Sequence, residues 1–347
     1  MNNYIENLND ELKKYYKILC NNVYPEFINK YIDLPELQRL SKIGQFCGCD
    51  YTKIYSVKYW YSRLDHSIAC ALMTWNFTKD KTQTLLALFH DMGTPAFSHC
   101  VDYLLDDYIN QESSEKDIYK IINSSNTIKK YLVEDLIDIQ KMSDISVYTI
   151  VENKKPKICV DRLEGVLSTC LIWLHCWDIN RVKKAYQNIT VLKNEYNEDE
   201  LGFNNIQLCE NFFEGVNKYS IELQKNEDKY IMQFFADMLK KLLENNCIKI
   251  EQLYNMSEQE VINILSSKYE TIWNVFKNAN TIIRSDIQPN NVYHVSISAK
   301  KRYVNPLCKN NNKINRLDEI SSNCKTLLDK YMNFEDSKYA YINGINI

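Results

Sequence analysis

Seven glycines and six prolines are the only strong breakers in this 347-residue chain. Helices can therefore run long, and a glycine-rich loop of the kind that cradles phosphate is absent. The apolar residues agree. Leu163, Val166, Leu167, Cys170, Leu171 and Leu174 recur at steps of three and four from a helix start near Asp161, and Ile231, Phe234, Phe235, Met238, Leu239 and Leu242 do the same. Leu85, Leu86, Leu88 and Phe89 form an apolar segment that runs straight into His90. A mainly α fold follows, with a smaller α+β region near the C-terminus. A helix is expected at about 128–139 within the more polar segment 110–160. Residues 188–205 mix a β-rich stretch with an acidic turn and mark a soft boundary. Tyr293, Val295, Ile297 and Ala299 alternate with His294, Ser296 and Ser298, which predicts a strand leading into Lys300, Lys301 and Arg302. The expected division is an N-terminal helical segment over 1–34, a helical core over 35–190, and a C-terminal helical region over 191–347 with a short strand-containing basic tail.

Composition narrows the function. A hydrophobic fraction of 45% and a charged fraction of 25% fit a globular protein with a substantial core. The net charge of -3 argues against a molecule that binds polyanions over its whole surface, so a phosphate or nucleic-acid partner needs a local basic patch. The tail supplies one on paper, with Arg284, Lys300, Lys301, Arg302, Lys309, Lys313 and Arg316. A nucleotide or single-stranded nucleic-acid surface is one reading of it, and a solvated strand-and-turn face is the default. The twelve cysteines are scattered and form no CxxC, so they read as mostly buried thiols in a reducing compartment. The N-terminus lacks the apolar stretch of a signal peptide. The longest apolar run, 166–177, is interrupted by Ser168, Thr169 and His175 and falls short of the roughly 20 residues that span a bilayer. A cytoplasmic protein with no membrane partner is expected.

Chemistry concentrates in four residues. His66 lies in RLDHS, His90-Asp91 in ALFHDMGTPAFSH, and Asp161 in ICVDRLEG. Two imidazoles and two carboxylates suit one divalent ion (Mn, Fe, Co, Ni, Zn or Mg), which would activate water and polarise a phosphoryl oxygen. Adjacent residues on a regular helix point about 100° apart. His90 and Asp91 can therefore share an ion only near a helix end, and Gly93 and Pro95 supply that end. His175 and His294 stand alone and read as structural.

These motifs, in this order, resemble the HD-domain phosphohydrolases and their H…HD…D pattern, most closely the deoxynucleotide triphosphohydrolase (dGTPase-like) branch. PELQRLSKIGQFCG resembles that branch's opening segment, SRLDHS its R-F-E-H-S, and HDMGTPAFSH its H-D-x-G-H-G-P-F-S-H. The similarity covers about 130 residues and makes 35–190 the HD core. It implies His66, His90, Asp91 and Asp161 as metal ligands and a catalytic role for Asp91. It also implies Arg63, His99 and Arg162 as groups facing the substrate's phosphates, with Gln45 reading the sugar. The residues alone leave other partners open: Gln45 capping a helix, Arg63 pairing with Asp65, Arg162 pairing with Glu164. Homo-oligomerisation and a nucleotide-like substrate are further implications.

The chain departs from the branch at two histidines. Thr94 stands after the glycine of H-D-x-G-H, and Gln111 stands beside Glu112 where another histidine is expected. Neither Thr nor Gln titrates near neutral pH, so neither replaces a histidine acid. Glu112 or Glu115 is then the candidate proton donor, with a surface carboxylate as the plainer reading. Gly165 and Thr169 occupy the branch's aromatic and acidic sugar-reading positions, which removes a steric check against a 2′-hydroxyl. The expected function is metal-dependent hydrolysis of a phosphate ester or anhydride on a nucleotide-like molecule. Two other classes stay open: a regulatory protein that binds nucleotide without turnover, and an HD-type di-iron oxygenase, which needs bridging histidines between Asp91 and Asp161, where this chain has only His99.

Overall fold

A computed structural model describes residues 2–111, 117–311 and 313–347. It is mainly helical, with two small sheets toward the C-terminal half. One apolar core reaches from Ile5 to Ile345, so the helices of both halves share an interior. Among the described residues no helix is long and apolar enough to cross a membrane. All twelve thiols are free, and most are buried.

Two consecutive helices carry the motif residues. The first, Arg63–Thr78, starts at a capping box: Ser62 Oγ accepts from Asp65 N at 3.1 Å, and Asp65 Oδ2 accepts from Ser62 N at 2.8 Å. Asp65 also accepts from Tyr4, so it is spent on the helix start and does not pair with Arg63. Lys79, left-handed at φ 53°, ends this helix. Asp80 caps the next, Lys81–Phe89, which stops at His90. The chain then turns through Gly93 and Pro95, the helix end that joint coordination by His90 and Asp91 requires.

The helix at Asp161 is shorter than its apolar repeat suggests. It spans Val160–Ser168 and widens into one π-helical turn over Thr169–Trp173, where Leu174 N donates to Thr169 O at 2.8 Å. The helix expected at 128–139 is Asn126–Glu134, with a separate 3₁₀ turn at Ile139–Met142.

Residues 188–205 form a hairpin. Ile189–Lys193 runs antiparallel to Asp199–Phe203, with Ile189 opposite Phe203. Asp199–Phe203 then pairs in parallel with Leu307–Asn310, which closes antiparallel on Lys313–Arg316. Gly202 is required at that parallel contact, because a Cβ there would lie 2.8 Å from Leu307 O.

The strand expected over 293–299 is cut to His294–Val295. Its partner, Tyr339–Tyr341, has only three residues and is shared with Ile283–Ser285. Beyond Val295 the alternation finds no ladder to join. The chain continues as an irregular strap, residues 299–304, that runs to the motif residues.

The basic tail also divides. Arg316 is buried against Glu200 (2.6 Å) and Glu195 (2.8 Å), and Arg284 pairs with Asp336 (2.9 Å) and Glu227. Neither belongs to a free basic patch.

Candidate metal centre

Three of the four motif residues, His66, His90 and Asp161, converge, and Asp91 stands beside His90. His66 Nε2 lies 3.1 Å from His90 Nε2 and 3.1 Å from Asp161 Oδ1, while His90 Nε2 lies 3.8 Å from Asp161 Oδ1 and 3.7 Å from Asp91 Oδ2. Two ligand bonds of about 2.1 Å at right angles place their donors about 3 Å apart, so this spacing is that of groups around one ion.

The far nitrogens of both rings are occupied. His90 Nδ1 meets Ala87 O at 2.8 Å, and His66 Nδ1 meets Glu164 Oε2. With Nδ1–H donating in each ring, both Nε2 lone pairs and a carboxylate oxygen of Asp161 face one point beside Cys70, while both oxygens of the neighbouring Asp91 also accept from Arg63 and Thr94. A cation satisfies that arrangement, and the donor set fits a divalent ion. The field at the site favours positive charge, whether a proton on His66 or a cation held between the side chains. Burial works to lower the His66 pKa, but Cys70, Glu164 and Asp161 together raise it well above the usual imidazole value. Burial pushes Asp161 upward, yet His66, His90 and Arg162 hold it well below the ordinary carboxylate range.

Glu164 and Cys70 are the two neighbours that motif reading missed. Glu164 is fully buried and accepts from Tyr61 Oη (2.6 Å), Tyr15 Oη (3.1 Å) and Ser168 Oγ (3.2 Å) besides its contact with His66. It therefore orients His66 and is not the partner of Arg162. Its place three residues after Asp161, on the same face of one helix, was the available signal. Cys70, one turn after His66, brings Sγ to 3.7 Å from His66 Nε2. Burial first, against the opposing pull of His66, raises its thiol to about 12, so it stays protonated.

Asp91 is held from both sides. Arg63 Nη1 donates to its Oδ2 at 3.0 Å, and Thr94 Oγ1 donates to its Oδ1 at 3.2 Å. Burial would raise Asp91, and Arg63, His90 and His66 instead hold it well below the usual range. Thr94 thus anchors a carboxylate where the resembling branch has a titrating ring. Arg63 spends its other nitrogens on Ser98 Oγ (3.0 Å) and Cys47 Sγ (3.8 Å).

A cavity of about 900 Å³ opens beside the centre, and Gln45, His99, Gln111 and Arg162 line it together with Arg63. Gln45 Oε1 is buried without a partner among the described residues. His99 Nδ1 meets Asp102 Oδ2 at 2.9 Å; burial, with Arg302 and Arg63 adding, lowers its pKa to about 4. The ring is neutral at pH 7, with Nε2 left over. Arg162 pairs with Glu152 (3.3 Å), Lys157 O (2.9 Å) and Asn153. Gln111 accepts from Arg302 through Oε1. Gly165 borders the cavity with nothing within 4 Å of where a Cβ would stand, so the missing aromatic leaves open space. Glu112 and Glu115 lie outside the described residues. A second cavity of about 830 Å³, beside Asp50 and Trp273, holds none of these groups.

No family model matches the chain. It is 25% identical over 285 residues to the uncharacterised protein YdhJ of Bacillus subtilis, covering 80% of this chain and 83% of that protein. It is 26% identical over 132 residues to a metal-dependent phosphohydrolase of Cordyceps militaris, spanning 38% of this chain and 37% of that one. Among solved structures it resembles a phosphohydrolase from Bacteroides thetaiotaomicron with TM-score 0.57 and 14% identity, over 99% of both chains. A hypothetical protein from Aquifex aeolicus gives TM-score 0.55 at 15% identity, over 92% of this chain and 93% of that one. Both structural likenesses establish the fold.

Proposed function

We propose that this chain is a metal-dependent phosphohydrolase of the HD-domain superfamily, acting on a phosphate ester or anhydride of a nucleotide-like substrate. One observation carries the reading: two imidazole Nε2 atoms and an oxygen of Asp161 gather at one point, Asp91 stands beside His90, and both rings' far nitrogens are already bonded. The names of the Cordyceps relative and the Bacteroides fold neighbour support the superfamily and hydrolase chemistry. The dGTPase-like branch rests on the motif resemblance alone.

In this reading His66, His90, Asp91 and Asp161 hold one divalent ion. When bound, it supplies Lewis-acid polarisation of a phosphoryl oxygen and lowers the pKa of water. The chain's own groups do the rest. Glu164 fixes the His66 ring and raises its basicity as a ligand. Arg63 and Thr94 keep Asp91 ionised and aimed. The guanidinium charges of Arg63 and Arg162 favour the substrate's phosphates at the cavity wall. Neutral His99, fixed by Asp102, offers Nε2 as the acceptor for a proton on the phosphate or on attacking water. The orphan carbonyl oxygen of Gln45 accepts from a sugar hydroxyl. The open space at Gly165 admits a sugar with its 2′-hydroxyl present. Residues 35–190 carry the metal and phosphate groups, and residues 191–347 wall the cavity. Glu112 as proton donor is part of the proposal.

A second reading has its own support: Thr94 and Gln111 are both committed to protein partners, which fits nucleotide binding without turnover. The deciding experiment incubates the protein with nucleoside mono- and triphosphates, their deoxy forms and cyclic dinucleotides, with Mn or Mg present. Release of phosphate, pyrophosphate or triphosphate supports hydrolysis. Saturable nucleotide binding with no release across the panel replaces it with the binding reading.

A further inference from the structure

The two arginines that sequence motifs offer for phosphate binding are largely committed. Every nitrogen of Arg63 has a protein partner, as does every nitrogen of Arg162. Arg302 differs. Its Nη2 donates to Gln111 Oε1, while Nε and Nη1 have no partner among the described residues, and its side chain lines the same cavity.

The strap that delivers Arg302 is irregular but fastened. Gln224 Nε2 donates to Lys300 O at 3.0 Å, Asn305 N donates to Pro156 O at 2.8 Å, and Val304 is buried. Lys301 also borders the cavity, but its ammonium is engaged on Met332 O and over the Tyr331 ring. Arg302 is thus held facing inward by its neighbours. Its charge reaches groups on separate elements. It adds to the fall in the His99 pKa, and it opposes burial and Glu222, which raise Asp228 to about 7. Asp228 also lines the cavity. Nη2 carries two hydrogens and gives one to Gln111, so one two-donor edge, Nε–Nη2 or Nη1–Nη2, stays complete and can take an oxyanion in two parallel hydrogen bonds.

We propose that Arg302 binds a phosphate group of the substrate other than the one at the metal centre, so that the site prefers anions carrying more than one phosphate. This rests on the phosphohydrolase reading for the metal-centre phosphate, but its test does not need turnover. Tripolyphosphate and orthophosphate are titrated calorimetrically into the Mg-equilibrated protein, as wild type, Arg302→Gln, Arg302→Lys and Lys309→Gln. The last removes an equal charge from an exposed strand position.

The expected result for Arg302→Gln is a loss of tenfold or more for tripolyphosphate, with orthophosphate changed less than twofold. Arg302→Lys should fall between it and wild type, because a point charge replaces the fork. Lys309→Gln should stay within twofold. Circular dichroism checks each fold; if Arg302→Gln does not fold, the loss in Arg302→Lys decides alone. A wild type that binds no tripolyphosphate, Arg302→Gln (or Arg302→Lys where it decides alone) within twofold of it, or equal losses for both anions would overturn the assignment. A wild type that binds tripolyphosphate through Arg302 yet hydrolyses nothing would overturn the proposed function and leave this inference standing.

Discussion

The cavity has two walls built on different principles. On the metal side, helix ends carry the groups, and nearly every polar atom is tied: Glu164 to His66, Arg63 and Thr94 to Asp91, Asp102 to His99. On the other side an irregular strap presents Arg302, with two nitrogens unbonded among the described residues. A buried charge network is rigid but costly to disturb. A strap anchored by backbone contacts can change its side chain with little harm to the fold. Under the proposed function, the wall of motif residues couples chemistry to stability, and the strap wall separates them.

The sharpest way to break that contrast is to remove one arginine from each side. Arg63→Ala leaves Asp91 as an unpaired buried carboxylate and should cost about 3–5 kcal/mol of stability. Arg302→Ala, at a more exposed position, should cost within about 1 kcal/mol. Urea unfolding measures both, and equal losses would mean the strap is as structural as the metal wall.

Glu164→Gln comes next. It keeps most of the side chain's size but withdraws the carboxylate from His66. Loss of such an outer partner typically weakens metal binding by about 10–100-fold, and competition with a chelator of known affinity checks it.

A pH prediction tests how the far side supports the near one. Glu258 accepts from Phe97 N at 3.1 Å and Tyr51 Oη at 2.9 Å, holding the loop that carries Ser98 and His99. Burial raises Glu258 to about 8, with Asp50 adding, and burial raises Asp50 to about 7. The folded protein thus holds protons here that the unfolded chain has released. This contribution to stability is full below about pH 4, the unfolded range, and is lost as pH rises toward 8. Glu258→Gln should flatten the upper part of that decline, measured as the difference in melting temperature between variant and wild type at pH 5 and pH 8.

The smallest effect is at Gly165. Because nothing stands within 4 Å of a Cβ there, Gly165→Ala should stabilise the helix by about 0.5–1 kcal/mol. Gly165→Leu should fill cavity volume and raise KM for any hydrolysed nucleotide. A fall in stability for the alanine variant would show that the open space is not there.

The metal wall was legible because its residues announce themselves locally. Gly93 and Pro95 mark a helix end with His90 at it; the Ser62 and Asp65 capping box is as local a signal, but in sequence Asp65 reads as a partner of Arg63. Glu164 and Cys70 were one helical turn from motif residues and within reach of spacing arguments, yet in sequence Glu164 reads only as a partner of Arg162 and Cys70 as a buried thiol. Arg302 had no such signal. It stands 191 residues from Gln111 in sequence, and its approach depends on a strand that stops at Val295 for want of a longer partner. Alternation of side chains marks what can join a ladder, but a ladder also needs a neighbour, and that is a tertiary fact.

The most direct test of the account is metal stoichiometry by mass spectrometry and calorimetry, comparing wild type with the His90→Ala plus Asp91→Ala variant. The account predicts about one tightly bound divalent ion per wild-type chain and none in a folded double variant. A wild type that binds no divalent metal, or a double variant that binds it undiminished, would contradict it.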